Sequence, residues 1–481
     1  MNKRQTGLLI LAIFLLIYGF YMLIAMPNLL DKELAEGYVS ILITYAVFSV
    51  VSLYVCNRSD FDIFEPIVIL LIMYFGIFVY RPIQDIINND YFTFGENVIG
   101  GCVRANIVVS VSIISFCAGY YGKYSWGRKK RYAANDSCKV IETSSTDIVL
   151  IAQIIWWVST AFLLLYLITS GKNLAYIFSL GKSGLASDDS TSGSAALTFF
   201  AYSMLAPWMY ICVYGKNKGY KILLTLLMTI IYVVRGTRIV LLIMISAPIL
   251  YYYMIREKRP KLKVILIGVV SILFFMSFMQ FARHGLRTGT TTDFTDFSSS
   301  AFSNVFDADL TTYKQFYAIV EKYPAQYKYT FGKAMIVQTL VTMIPRAVWP
   351  SKPGVVIEDV IANAVNARAA SAGMASPGIG EYYFEFGIIG CLVCMFILGM
   401  IFRKCKEILK KSNTIDNAIR YSVLYGLVFQ LIIRTSTASC VYQYLFTILP
   451  IYLITHLRIK KAIVEKKGGD IKWHWRKNTK L

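Results

Sequence analysis

Apolar residues along this chain run in blocks of about 20, the length that carries a helix across a hydrocarbon core of roughly 30 Å. The blocks lie at 7–26, 37–56, 65–80, 103–121, 147–169, 195–214, 219–235, 238–255, 264–282, 380–402, 416–433 and 437–457. They predict an all-α polytopic membrane protein with about 12 transmembrane helices, because backbone groups in lipid must be satisfied within the segment and the runs are too continuous for barrel strands. The implied organisation is a bundle of nine spans over 1–282, a large loop over 283–379, three spans over 380–457 and a basic tail over 458–481. Lys3 and Arg4 ahead of the apolar run Gly7 to Met26 look like the start of a signal peptide. That run is long and no small-x-small cleavage site follows, so it is read as a retained first span.

The large loop has its own pattern. Its first part, TGTTTDFTDFSSSAFSNVFDADLTTY, is rich in Ser, Thr and Asp and suits a solvated lid or a polar ligand. Residues 311–323 have the spacing of an amphipathic helix, and 355–370 again read as helix. Between them AMIVQTLVTMI, residues 334–344, is apolar but too short to span, and is expected to dip into the leaflet or pack on the bundle. Long loops in compact proteins are usually functional. The chain shows no internal repeat, which disfavours the inverted-repeat transporters.

Composition narrows the class. A chain that is 56% hydrophobic and only 16% charged is too apolar for a soluble enzyme of 481 residues. Its net charge of +21 suggests nucleic acid at first sight. The basic residues instead fall in short loops between apolar blocks, GKYSWGRKKRY, GKNKGYK, REKRPKLK, RKCKEILKK and the tail, so nucleic acid is excluded as a partner. By the positive-inside rule those loops and both termini are cytoplasmic, and the large loop is outside. The nine cysteines show no framework of paired spacings. Cys391 and Cys394 form a C-x-x-C inside an apolar block without further ligands, so neither a metal nor a cofactor is expected.

Against that charge bias, several arginines fall on the outer side. Arg235 and Arg238 flank a Gly-Thr turn between two spans, Arg283 and Arg287 end the ninth, Arg434 ends the eleventh, and Arg346 lies in the loop. Arg81 ends the third span but sits at an Arg-Pro turn with no other basic residue close by, and is set aside. Arg283 and Arg287 share a helix face at a spacing of four. The apolar stretch Ile222 to Val234 is roughly 20 Å long at about 1.5 Å per residue, short of the membrane thickness. Arginine at mid-bilayer costs about 2.5–3.5 kcal/mol and normally faces a bundle interior or a watery cavity. Any one of these arginines can equally snorkel or pair with Glu381, Glu385, Asp309 or Asp359. Five at span ends together point to an anion, and the guanidinium fork suits the phosphates of a lipid pyrophosphate lying at that depth.

Three segments carry a resemblance: RGTR at a span end, IPRAVWPSKPG (Ile344 to Gly354) in the loop, and SPGIGEYYFEFGIIG (Ser376 to Gly390) leading into a span. The chain resembles the Wzy-type O-antigen and capsule repeat-unit polymerases, a family related to the O-antigen ligases. The resemblance implies a membrane-embedded, GT-C-like glycosyltransferase of the bacterial cytoplasmic membrane, without cofactor. It would move the growing glycan from undecaprenyl pyrophosphate to the non-reducing end of another lipid-linked repeat unit, with a flippase and a chain-length regulator as possible partners.

On that reading Arg235, Arg238, Arg283, Arg287 and Arg434 hold the pyrophosphate, with Arg346 at donor or acceptor. A general base is also needed. Glu381 is the first candidate and His284 the second, while Glu385, one turn further on, orients an arginine. An acidic residue in the first turn of a helix is favourable with the macrodipole alone, so Glu381 has a purely structural alternative. Trp349 and Tyr382 are candidates for stacking on sugars, although aromatics at this level also form the interfacial belt. A ligase-like transferase and a lipid-linked oligosaccharide flippase or exporter are the rival readings.

Overall fold

The computed structural model describes residues 3–26, 31–122, 145–169, 195–235, 238–256, a few residues between 260 and 270, 310–344, 348–349, 351–366, 375–410, 415–433 and 436–465. Before the large loop come α1 (Lys3–Ile24), α2 (Lys32–Cys56), α3 (Pro66–Ile87, with a π-turn at Gly76–Tyr80), α4 (Cys102–Tyr121), α5 (Ser145–Thr169), α6 (Leu197–Tyr214), α7 (Lys218–Arg235) and α8 (Arg238–Ile255). The loop contributes α9 (Thr312–Lys322), α10 (Gln338–Thr342, entered through a π-turn at Lys333–Val337) and α11 (Val356–Ala364). After it come α12 (Gly378–Lys410), α13 (Ile415–Ile433) and α14 (Thr437–Glu465).

Eight helices among the described residues are long and apolar enough to cross a membrane: α1 to α6, α12 and α14. This is a multi-pass, all-α membrane protein. At the other predicted spans α7 and α13 are helical but carry Lys218, Lys221 and Arg235, or Asp416 and Arg420, which shorten their apolar stretch. The eighth block forms a shorter apolar helix, Val240–Ile255. Most of the predicted ninth span, 264–282, lies outside the described residues.

Packing does not follow chain order. One core joins α1 to α4 with the loop helices α9 and α11 and with α12, while a second joins α5 to α8 with α13 and α14. The tightest crossing is α4 on α12. Where lipid supplies no hydrophobic drive between helices, close approach needs small residues. Gly119 and Gly399 meet this need reciprocally: a methyl on Gly119 would run into the Phe396 carbonyl, and one on Gly399 into the Phe116 carbonyl. Near by, Ser115 Oγ donates to the Leu392 carbonyl at 2.7 Å. A polar seam joins α2 to α4, with Asn106 Nδ2 on Ser40 Oγ at 3.0 Å and Thr44 Oγ1 against Ser110 Oγ at 3.2 Å.

Helix ends gather at two poles, as alternate loops should. At one, Lys406 pairs with Glu65 at 2.8 Å and with Asp60 at 3.0 Å, Tyr120 donates to Glu65 at 2.8 Å, and Tyr421 donates to the Phe64 carbonyl. At the other, residues 81–106 meet the large loop. Contrary to the sequence expectation, Arg81 has a basic neighbour: it pairs with Asp85 at 2.8 Å, and the same carboxylate takes Lys314 at 3.3 Å and the Tyr313 hydroxyl at 2.6 Å. Lys314 also pairs with Asp90 at 3.1 Å. The basic neighbour of Arg81 is thus more than 200 residues away in sequence, on α9. This buried ion-pair group fastens α9 to the end of α3, and the loop helix with it becomes part of the bundle core, with Phe316, Tyr317, Ile319 and Val320 buried.

Candidate functional site

The beginning of α12 is the centre of the loop-side pole. Ser376-Pro377 leads into Gly378 and Gly380, and the lack of a side chain at Gly380 leaves room for Ser376, which a methyl there would strike. Two carboxylates follow one turn apart, Glu381 and Glu385, both fully buried. Such groups are costly to bury unless bonded, so their partners decide their roles.

Glu385 is fully engaged. Phe331 (φ 46°) and Gly332 (φ 87°) adopt the left-handed conformation, turning the backbone amides of Gly332 and Ala334 into a concave anion nest. Glu385 fills it, accepting from Gly332 N on one oxygen and from Ala334 N at 2.6 Å on the other. Thr330 N to the Phe384 carbonyl, 3.0 Å, and Phe331 N to the Glu385 carbonyl, 3.1 Å, complete the seam. Immediately after, Gly387 (φ 66°, ψ −155°) breaks α12, a conformation that glycine tolerates best. Instead of orienting an arginine, Glu385 is bonded to the loop backbone.

Glu381 is different. Its Oε2 accepts from Thr437 N at 2.8 Å and from Thr437 Oγ1 at 2.7 Å, so it caps the first turn of α14. Its Oε1 is buried with no hydrogen-bond partner among the described residues. The structural alternative therefore accounts for one oxygen and leaves the other.

Helix directions place the end of α7 and the start of α8 at this pole. Gly426 of α13 lies against Ile243 of α8, and Ser422 faces Met254, so the two helices run antiparallel and the start of α8 lies beside the end of α13. Tyr232 of α7 donates to the Ala201 carbonyl at 2.6 Å, and the Phe199 ring lies tilted against Tyr442 of α14 at 5.3 Å. Arg235 closes α7 and Arg238 opens α8, so both lie at helix ends at the pole that holds Glu381 and Thr437. What their guanidinium groups touch lies outside the described side chains, and Arg283, His284, Arg287, Arg346 and Arg434 lie outside the described residues altogether. Arg434 precedes Thr437 by three positions in the chain.

The two aromatic candidates separate. Trp349 is 38% exposed, its indole donating to Ser351 Oγ at 2.9 Å, and so presents a face. Tyr382 is 5% exposed and packs in the first core, so in this form of the protein its ring offers no open face to a sugar. Sequence reasoning missed two contributors. Thr437 carries no signal of its own, whereas Lys314 is legible as a lone cation within the apolar stripe of Tyr313, Phe316, Tyr317 and Val320. Among the described residues no group of three His, Cys, Asp or Glu is placed to hold a metal.

No curated protein and no solved structure matches this chain. The sequence model of the O-antigen polysaccharide polymerase Wzy matches residues 8–466, nearly its whole length, and the protein belongs to that family.

Proposed function

We propose that this polysaccharide repeat-unit polymerase uses undecaprenyl pyrophosphate-linked glycan as donor, another lipid-linked repeat unit as acceptor, and the loop-side pole as its active site. The observation that carries the reading is Glu381: a buried carboxylate held rigidly by Thr437 through one oxygen, with the other oxygen unbonded among the described residues. It lies at the pole where α7 ends at Arg235 and α8 begins at Arg238.

In the reaction the acceptor hydroxyl attacks the anomeric carbon of the donor sugar. The bond from that carbon to the pyrophosphate oxygen breaks, and undecaprenyl pyrophosphate leaves with the electron pair. Glu381 Oε1 takes the hydroxyl proton. Because Glu381 is 0% exposed, substrate binding must open the α12–α14 junction before the base acts, which keeps water from the donor. Arg235 and Arg238, with Arg283, Arg287 and Arg434, meet the charge that grows on the leaving pyrophosphate, and Arg346 holds donor or acceptor. Trp349 stacks on sugar, and His284 is the reserve base.

The positive-inside rule puts the pole with Arg58, Lys406 and Lys410 in the cytoplasm, and with it both termini. The large loop is then outside the bacterial cytoplasmic membrane, where a flippase delivers lipid-linked units and a chain-length regulator acts on the product.

The test is Glu381→Gln. A glutamine carbonyl still accepts from Thr437, so the protein is expected in the membrane at normal level while the glycan ladder collapses to a single repeat unit. A normal ladder moves the base to His284 or removes it. Deleting the gene separates the rivals: a ligase-like enzyme leaves lipid-linked polymer behind, and an exporter leaves units trapped inside.

A further inference from the structure

Residues 330–344 belong to the large loop in sequence, yet they are bonded at the level of the spans. Tyr442 donates to the Thr339 carbonyl. Tyr442 lies about 7 Å inside the start of α14, at about 1.5 Å per residue from Thr437, and α14 is apolar enough to span from Thr437 to Leu457. Met335 packs against the first core and Met343 against the second, so the segment is wedged between the two halves of the bundle.

Among the described residues its other face is exposed and apolar. Ile336 is 59% exposed, Val337 48% and Leu340 72%, one side of the helical turn. Beside it on α14 the exposed residues are again apolar: Val441, Tyr444 and Leu445. These belong to the outward side of a candidate span, the side that meets lipid.

The backbone is treated as lipid requires. Short helices and turns survive at membrane depth only if every end group is satisfied. The amides entering the segment, Gly332 and Ala334, are taken by Glu385. At its far end Lys352 Nζ reaches back to the carbonyls of Thr342 at 2.9 Å and Ile344 at 3.1 Å. The Thr339 and Thr342 hydroxyls bond one turn back at 2.6 Å each, and the Gln338 side chain accepts from Val356 N at 3.2 Å.

We infer that residues 331–343 form a membrane-dipping segment whose Ile336, Val337 and Leu340 face contacts the acyl chains of the leaflet on the loop side. Lys333, exposed on that same face one turn before Ile336 and Val337, reaches toward the lipid phosphates. The segment has this place whatever the roles of Glu381 and the arginines.

The test uses the full chain in phosphatidylcholine–phosphatidylglycerol vesicles, with a nitroxide attached at Leu340→Cys, at Ile336→Cys and, as the aqueous reference, at Ser351→Cys. The unsubstituted protein, labelled in parallel, gives the background from its own cysteines. Power saturation is read with oxygen and with a water-soluble nickel chelate. Oxygen collisions exceeding nickel collisions at 340 and 336, with the reverse at 351, are expected. Nickel access at 340 and 336 equal to that at 351 puts the face in water and overturns the inference. Low access to both reagents at 340 and 336 also overturns it, since protein then covers the face.

Discussion

Two glutamates four positions apart, alike in sequence and in burial, are bonded to different things and have different consequences when changed. Removing Glu385 leaves the Gly332 and Ala334 amides without an acceptor, at about 1–3 kcal/mol for each buried group. Glu385→Ala is therefore expected to lower the melting midpoint in detergent well below that of Glu381→Gln, whose replacement keeps the Thr437 bonds. A melting midpoint of Glu385→Ala equal to wild type would show that the nest is not formed. The arginines allow a chemical distinction. Removing one donor to a developing oxyanion costs about 10²–10³ in turnover, so on the proposed pyrophosphate role Arg238→Ala should lose long-chain glycan at normal protein level. Arg238→Lys should remain impaired, because a point charge lacks the planar fork. Full polymer length in the lysine variant would mean that charge alone suffices.

At the scale of elements, close approach and backbone conformation carry the argument. Gly399 and Gly119 let α4 and α12 meet backbone to backbone, and this crossing fixes where Glu381 sits relative to the first half of the bundle. Gly399→Leu forces the helices apart, and overpacking of this kind costs about 1–3 kcal/mol or more. Membrane yield and melting midpoint should both fall, whereas Ile389→Leu on an exposed face of α12 should change neither. The apolar blocks that set the helices were plain in the sequence, and so was the amphipathic pattern of α9. The break at Gly387 was not, because glycine is common inside membrane helices and the Tyr329 side chain that crowds this position comes from the loop.

For the whole molecule, the ion pairs of the basic pole tie stability to pH. At the basic pole Asp60 is pulled two ways. Burial raises the pKa of its carboxyl, but hydrogen bonds from Lys406, Arg58 and Lys410 outweigh this and hold it well below the usual carboxylate range. The folded pKa lies below the unfolded one, so this contribution to stability is complete above about pH 4, the unfolded carboxylate value, and is lost as pH falls toward the folded one. Thermal melting in detergent followed from pH 7 down to pH 3 should show a steeper acid loss in wild type than in Asp60→Asn. Parallel curves would mean that the group does not link the pole to pH.

The multi-pass, all-α membrane class and the positions of most helices were legible in the sequence alone, because burial in lipid demands long apolar runs and those can be counted. The unusual arginines and the first carboxylate of α12 were also visible there, since a charge in an apolar run stands out without coordinates. What Glu381 and Glu385 bond to, the tie of Arg81 to Lys314, and the depth of residues 330–344 were decided only by tertiary structure. Each depends on contacts between residues far apart in the chain, and helical periodicity carries no information about which distant turn will arrive opposite a given side chain.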